Sequence, residues 1–310
     1  TAAAATSRSR ASTRSRSRVA ARTTSRTSSR RASGVTAGKA RARSRSSSAP
    51  RTFTADHFRR WCLELILDNG LAFVLEQFQI DFIADVFVRR PDGRPRFTEL
   101  WDVIPEENGK TTLVAALALY HTEFTPGAFV PVAASSRDQA ETLYRQAEGF
   151  VLKSKRLNGT TGSRRGIFVC QPGYRRIRLR EHKHVRIQIF AADADTADSV
   201  IPTLGIIDEL HRHKDMELYR TWTGKLRKRG GQLVTISTAG EPGSEFEQTR
   251  TRLRESGTEG ERRPCFTRAA GEQFVIHDWS VPAKAHVEDL GVVKTAHPFS
   301  GIPLETLRTK

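Results

Sequence analysis

The sequence predicts an α/β domain, a mainly parallel central sheet flanked by helices, preceded by a disordered basic tail. Two observations carry this reading. Strand-like and helix-like segments alternate from Phe53 onward. Almost all of the net charge, by contrast, lies before Phe53. The chain has 310 residues with 51 Lys or Arg and 34 Asp or Glu, a formal net charge of +17. Residues 1–51 hold 14 of the basic residues and no acidic one, which leaves 37 basic against 34 acidic residues in the rest. The boundary between 51 and 52 therefore separates a polycation from a nearly neutral domain spanning 52–310.

The tail is Ser, Thr, Arg and Ala, and its apolar residues are 12 Ala and two Val. It cannot bury enough surface to offset the entropy of ordering it. Arg-Ser alternation at Ser7-Arg8-Ser9-Arg10 and Arg14-Ser15-Arg16-Ser17-Arg18 suits phosphate backbones without sequence preference. A solvated tail, or upstream sequence translated by a wrong gene call, reads the same way. A transit peptide shares the composition, but there is no Leu or Phe here to build its apolar face. The longest apolar run, Leu113 to Tyr120, has eight residues, far short of the ~18 of a membrane span. Cys62, Cys170 and Cys265 are odd in number and far apart, so neither a disulfide framework nor a cysteine zinc site is expected.

The elements follow in order. Phe58, Trp61, Cys62, Leu65 and Ile66 have helical spacing, which predicts a helix over 57–75. A second helix covers 78–88, and Pro91-Asp92-Gly93 marks a turn. Segments 97–103 and 129–134 read as strands, and 111–121 and 138–153 as helices. A polar loop fills 154–166. Segments 167–170 and 174–179 read as strands that pair across Gln171-Pro172-Gly173. Segments 185–190, 203–207 and 233–237 are further strands, with a helix over 217–228. Beyond Gly240 the chain is more polar and its elements are not defined by periodicity.

The sharpest local feature joins the strand ending at Val103 to the helix starting at Thr111: Val103-Ile104-Pro105-Glu106-Glu107-Asn108-Gly109-Lys110-Thr111-Thr112. A phosphate-binding loop needs that context, because backbone N–H groups at a helix start surround phosphate oxygens. Gly109 permits the tight backbone, Lys110 reaches β/γ-phosphates, and the Thr111 hydroxyl suits Mg²⁺. The full pattern would require Gly at position 104, where this chain has Ile104. Taken alone, Gly109-Lys110-Thr111 also fits an ordinary helix start. The second feature is the apolar strand Leu204-Gly205-Ile206-Ile207 that ends in Asp208-Glu209. It delivers two carboxylates to the C-terminal edge of the sheet, one to hold Mg²⁺ and one to orient a water. The third is Gln232 to Ser237, a strand running into Thr238-Ala239-Gly240, whose hydroxyls suit sensing of a γ-phosphate.

In order and spacing these motifs resemble those of the large terminase subunit of tailed bacteriophages, from about Phe73 to Leu307. Leu75-Glu76-Gln77-Phe78-Gln79 is similar to the adenine-recognition motif of that family, with Gln79 as the base contact. Pro105 to Thr112 resembles its divergent P-loop, with Asn108, Gly109, Lys110, Thr111 and Thr112 as nucleotide-binding positions. Ala134 to Ala140, Leu204 to His211, Ile236 to Gly240, and Ala296-His297-Pro298 with Leu304 resemble its later motifs. The resemblance implies a P-loop NTPase of the RecA/ASCE-like kind, with ATP and Mg²⁺ as substrate and cofactor. Lys110, Asp208 and Glu209 are then catalytic, Thr111 and Asp208 hold Mg²⁺, and Ser237 and Thr238 couple hydrolysis to movement. Arg137 is a candidate arginine finger. The partners implied are duplex DNA, a small terminase subunit and a portal protein, in a homo-oligomeric ring in the cytoplasm of an infected bacterial host, with no membrane. Three departures stand out. Glu106 and Glu107 occupy places that are usually basic. Asp198-Ser199 stands where Asp-Gly is usual. No segment of 150–200 residues remains for a nuclease domain, so an ATPase half without nuclease activity is expected.

Two rival readings remain open. Asp208-Glu209-Leu210-His211 also fits a DExH box, and Ser237-Thr238-Ala239 a helicase coupling triplet, though a second RecA-like domain is wanting. Glu106 and Glu107 also fit a catalytically impaired DNA-binding remnant. His182-x-His184 and His211-x-His213 lack a third ligand at zinc spacing, and metal binding there is not expected. Arg175, Arg176, Arg178, Arg180, Lys183 and Arg186 suit either DNA phosphates or a solvated sheet face. Lys225, Arg227, Lys228 and Arg229 fit a helix C-terminus.

Overall fold

The computed structural model describes residues 53–159, 165–191, 201–226, 230–282, 284–286 and 288–308. The tail over 1–51, Asp198-Ser199 and the Arg227 to Arg229 run lie outside the described residues. In chain order the strands are β1 (Glu99–Val103), β2 (Phe129–Ala134), β3 (Phe168–Gln171), β4 (Arg176–Leu179), β5 (Arg186–Ala191), β6 (Leu204–Asp208), β7 (Gln232–Ser237), β8 (Glu259–Arg263), β9 (Phe266–Ala270) and β10 (Phe274–Trp279). They form one sheet in the order β3-β4-β5-β2-β6-β7-β1-β10-β9-β8. The central six, from β5 to β10 in that order, run parallel, and two antiparallel strands extend each edge.

The helices are α1 (Ala55–Cys62), α2 (Gln77–Phe87), α3 (Lys110–Phe124), α4 (Arg137–Lys153), α5 (Lys155–Asn158), α6 (Glu217–Leu226), α7 (Glu245–Ser256) and α8 (Leu290–Ala296). Period-two alternation along the buried strands assigns their partners. Leu100, Val132, Ile206 and Val234 face a core shared with α1 to α4. Their neighbours Trp101, Ala133, Ile207 and Leu233 face a second core with Trp222 of α6 and Phe246 of α7. Helix α3 is buried from Leu113 through Tyr120. A helix apolar all round belongs at the centre of a domain, and Ala115, Ala116 and Ala118 let it lie close to the sheet. Polar caps set the starts. Ser136 accepts from Gln139 N at 3.2 Å at α4, and Ser244 from Glu247 N at 3.2 Å at α7.

The strands and helices expected from 78 to 237 are present, with ends within about three residues. The first helix is shorter than its periodicity predicts. It stops at Cys62, and the chain then doubles back on itself. Leu67 N donates to Leu71 O, Phe73 N to Leu65 O, and Ile66 bridges Ala72. Asn69-Gly70 makes the reversal, with Gly70 at φ +81 and Asn69 Oδ1 accepting from Leu71 N. Folding back buries Phe73 and Leu75, which a straight helix would carry away from the core. The polar stretch after Gly240 forms α7, the β8-β9-β10 meander and α8. Among the described residues no helix is long and apolar enough to cross a membrane, and no group of three potential ligands stands at metal-binding distance. All three cysteines are free.

Candidate functional site

Strand order places the three motifs side by side. Strand β7 lies between β1 and β6, with Val103 paired to Ser237 and Asp208 paired to Ile236. The loop after β1, the Asp-Glu end of β6 and the Ser-Thr end of β7 therefore share one sheet edge. It is the C-terminal edge of parallel strands, where ligands bind in open α/β folds.

The loop from Ile104 to Gly109 is anchored before any ligand arrives. Ile104 N donates to Ser237 O at 2.9 Å. Glu107 and Gly109 have φ of 66° and 75°, so the backbone curls in the left-handed region on both sides of Asn108. Gly109 sits immediately before α3, and a Cβ there would lie 3.3 Å from Gln79 Nε2. Glycine thus serves both the backbone angle and the close approach. Asn108 is 1% exposed and holds the loop together. Its Nδ2 lies 3.2 Å from Pro105 O, 3.0 Å from Glu106 O and 3.2 Å from His297 Nδ1, and its Oδ1 accepts from Phe299 N at 3.0 Å. The segment after α8 is thereby fastened to the loop. Ser300 extends the attachment, donating from N and Oγ to Glu76.

Helix α3 opens with Lys110, Thr111 and Thr112, whose N–H groups start a helix and have no acceptor one turn back. The Lys110 side chain is buried, donates to Ile104 O at 2.9 Å and Pro105 O at 3.2 Å, and lies 3.4 Å from Glu209 Oε1. Thr111 and Thr112 are half-buried on the same turn. Gln79 is buried on α2. Its Oε1 accepts from Glu76 N at 3.1 Å in a capping box, and its amide nitrogen rests against Gly109.

The two carboxylates at the end of β6 differ in environment. Burial, reinforced by the adjacent Glu209, pushes the Asp208 carboxyl up to about 7, against a counter-pull from Lys110. Its Oδ1 is buried and, among the described residues, has no hydrogen-bond partner. A buried oxygen with unmet acceptor capacity suits a hard cation, and Mg²⁺ takes such carboxylates. Burial also acts to raise Glu209, but the His211 hydrogen bond and the Lys110 charge outweigh it and hold that carboxyl below its ordinary value. Glu209 has φ of 49°, a strained angle for a side chain of this size. The strained turn brings Glu209 Oε2 to 3.3 Å from Thr238 N and 3.2 Å from His211 Nδ1.

The structure also brings His211 into the candidate site, a residue whose spacing suggests only a metal ligand or the last letter of a helicase-like box. The structure gives it a different place, bridging Glu209 to the end of β7. Nδ1 lies 2.8 Å from Ser237 Oγ, Ser237 Oγ accepts from His211 N at 3.2 Å, and Thr238 Oγ1 lies 3.1 Å from Nε2. A proton on Nδ1 satisfies Glu209 or Ser237 and leaves Nε2 to accept from Thr238 or Arg212. The DELH pattern, four residues ending a buried strand, is the available signal. The loop that follows is fixed by Arg250, which donates to Ala239 O at 3.3 Å and pairs with buried Asp278 at 2.7 and 2.8 Å.

Glu106 is not left facing the loop unpartnered, because Arg212 Nη2 donates to its Oε1 at 2.9 Å. Arg137 is exposed on the first turn of α4 at the same sheet edge. Beside the loop lies a cleft of about 900 Å³ lined by Pro105, Glu106, Thr238, Arg254, Arg263 and Trp279. The arginines of β4 and β5 form a cross-strand group, with Arg178 opposite Arg186 and Arg176 opposite Gln188.

Comparison with known proteins gave three kinds of result. Residues 77–255 match the model of the family described as the terminase large subunit, ATPase domain. No curated protein matches the sequence. Among solved structures, the large terminase of bacteriophage HK97 is similar at 19% identity and a TM-score of 0.66, over 82% of this chain and 50% of that one. The chain thus spans about half the length of that terminase. The large terminase ATPase domain of Thermus phage P74-26 aligns at 15% identity and a TM-score of 0.44, over 60% of this chain and 73% of that one. The UvsW helicase of bacteriophage T4 aligns at 14% identity and a TM-score of 0.41, over 64% of each chain. Of these, the HK97 likeness speaks to the fold.

Proposed function

Since the chain belongs to the family of terminase large-subunit ATPase domains, we propose that it hydrolyses ATP at the β1–α3 loop and uses the energy to drive duplex DNA into a procapsid. The observation that carries the reading is the approach of Lys110 Nζ to Glu209 Oε1 at 3.4 Å, beside a buried Asp208 oxygen that has no partner among the described residues.

Gln79 reads the adenine, and the N–H groups from Asn108 to Thr112 receive phosphate oxygens. Lys110 neutralises charge on the β- and γ-phosphates. Thr111 and Asp208 would hold Mg²⁺, which would supply charge neutralisation on the phosphate oxygens. Glu209 is held ionised and hydrogen-bonds the attacking water. The water oxygen forms a bond to the γ-phosphorus as the bond to the β–γ bridging oxygen breaks, and that electron pair leaves with ADP. The water's proton passes to Glu209 and then to the phosphate or to solvent. His211 relays the position of Glu209 to Ser237 and Thr238, which couple hydrolysis to the surface that grips DNA. The arginines of β4 and β5 supply phosphate contacts on that surface. Partners in this reading are a terminase small subunit, a portal protein and further copies in a ring, in the cytoplasm of the infected host.

A helicase-like ATPase is the second reading, and the His211 contact with Ser237 and Thr238 is the observation that favours it. Steady-state ATP hydrolysis with Mg²⁺, with and without duplex DNA, tests both, with strand unwinding measured alongside. Turnover is expected to rise with duplex DNA, to vanish in Lys110→Ala and to unwind nothing. Absence of nucleotide binding by the folded chain would refute the packaging reading, and unwinding would replace it with the helicase.

A further inference from the structure

We propose that Arg212 is the cation that stabilises charge on the transferred phosphoryl group, and that Glu106 holds it ready beside the loop. This rests on the ATP-hydrolysis reading. Phosphoryl transfer spreads negative charge over the equatorial oxygens, and a guanidinium aimed at them is worth about 10³-fold or more in rate. Between Pro105 and Lys110 the chain has two glutamates and no arginine or lysine. Lys110 therefore brings a single charge, part of which is matched by Glu209.

Arg212 closes the short turn Leu210–Arg212 that follows Glu209. That turn carries its guanidinium across to the loop, with Nη2 at 2.9 Å from Glu106 Oε1. Its Nε donates to His211 Nε2 at 3.3 Å, so the same imidazole that contacts Glu209 steadies it. Its charge is also among those that favour ionisation of Asp208. The pair contributes little to folding, because the side chains of Arg212 and Glu106 are 48% and 54% exposed. An exposed single-carboxylate contact is easily exchanged for a triphosphate, which carries several negative charges. Other arginines near the cleft are committed elsewhere. Arg250 and Arg254 bond Asp278, and Arg263 pairs with Glu261. Glu106, which occupies a place that is usually basic, becomes the tether that keeps a positive charge within reach.

The test uses the whole chain and a binding readout. A fluorescent ADP analogue is titrated with Mg²⁺, with and without fluoroaluminate, a mimic of the transferring phosphoryl group. Turnover and thermal melting are measured on the same samples. The unmodified chain is expected to bind about 10²-fold or more tighter when fluoroaluminate is present. Arg212→Ala should keep ADP affinity within about three-fold, lose the fluoroaluminate gain and lose about 10³-fold in turnover. Arg212→Lys should recover part of the gain, and Glu106→Gln should increase it by releasing the arginine. A folded Arg212→Ala that keeps the full gain overturns the inference, since Arg212 is then a surface ion pair. An unmodified chain that binds ADP but gains nothing from fluoroaluminate also overturns it while leaving the hydrolysis reading standing. A chain that binds no ADP overturns both.

Discussion

Asn108→Ala removes the side chain that organises the loop, and its cost can be worked from the partners of that side chain. Four interactions disappear: donation to Pro105 O and Glu106 O, the approach to His297, and acceptance from Phe299 N. Each hydrogen bond is worth about 0.5–1.5 kcal/mol net, and partners left buried and unmatched cost more, so a destabilisation of about 2–4 kcal/mol is expected. Pro105 O retains Lys110 as a donor, which favours the lower half of that range. At about 2–4 °C per kcal/mol for a domain of this size, the melting temperature should fall by several degrees or more. Affinity for nucleotide should fall as well, because the loop must then be ordered by the ligand. Urea unfolding midpoints and ADP titration measure the two effects on one preparation. Asn108→Asp keeps the acceptor for Phe299 N but turns a buried carboxylate oxygen toward Pro105 O and Glu106 O, so it should be at least as destabilised as Asn108→Ala. An Asn108→Ala protein with the unfolding midpoint and the ADP affinity of the unmodified chain would refute the reasoning.

Other perturbations test the frame around the site. Burial pushes the Asp85 carboxyl up, but hydrogen bonds from His277 and Arg268 reverse this and hold it below the ordinary carboxylate value. The stability that Asp85 contributes is therefore complete above its unfolded value near pH 4 and is lost as pH falls through its lower folded value. The gap in unfolding free energy between the unmodified chain and Asp85→Asn should be full at pH 6 and shrink below pH 4. Gly240 has φ of 75°, and an added Cβ would lie 2.7 Å from Phe246, whereas at Gly243, with φ of 81°, it would meet nothing within 4 Å. Both alanine variants should be destabilised by about 1–2 kcal/mol through the backbone, and chemical denaturation should find Gly240→Ala the less stable by a further margin. Reversing Arg178 and Arg186 to Glu should weaken duplex DNA binding and lower the salt slope by about one for each phosphate that is no longer neutralised. Filter binding at several salt concentrations measures it.

The parallel core was legible because buried strands and the central helix announce themselves. Leu204 to Ile207 and Leu113 to Tyr120 are apolar runs whose lengths separate strand from helix. The motif ends were legible for the same reason, since polar residues that terminate such strands must emerge at one edge. The first helix reads as too long because Leu65 and Ile66 keep helical spacing while Asn69-Gly70 reverses the chain. The region after Gly240 was illegible by periodicity. Strand β8 is exposed along its whole length, and α7 buries only Phe246, Arg250 and Leu253. Long-range polar pairs were beyond reach altogether. Glu106 meets Arg212, Asp85 meets Arg268 and His277, and Asn108 meets Phe299, each across at least 100 residues. No spacing rule connects them, and the first sets the charge balance beside the loop.

The central claim is that Lys110, Asp208 and Glu209 form one hydrolytic site. Single-turnover hydrolysis of ATP by Glu209→Gln, with bound nucleotide measured in parallel, tests it most directly. Glu209→Gln is expected to bind ATP with Mg²⁺ as the unmodified chain does, and to lose hydrolysis by about 10²-fold or more. A Glu209→Gln chain that hydrolyses bound ATP at the unmodified rate would contradict that claim.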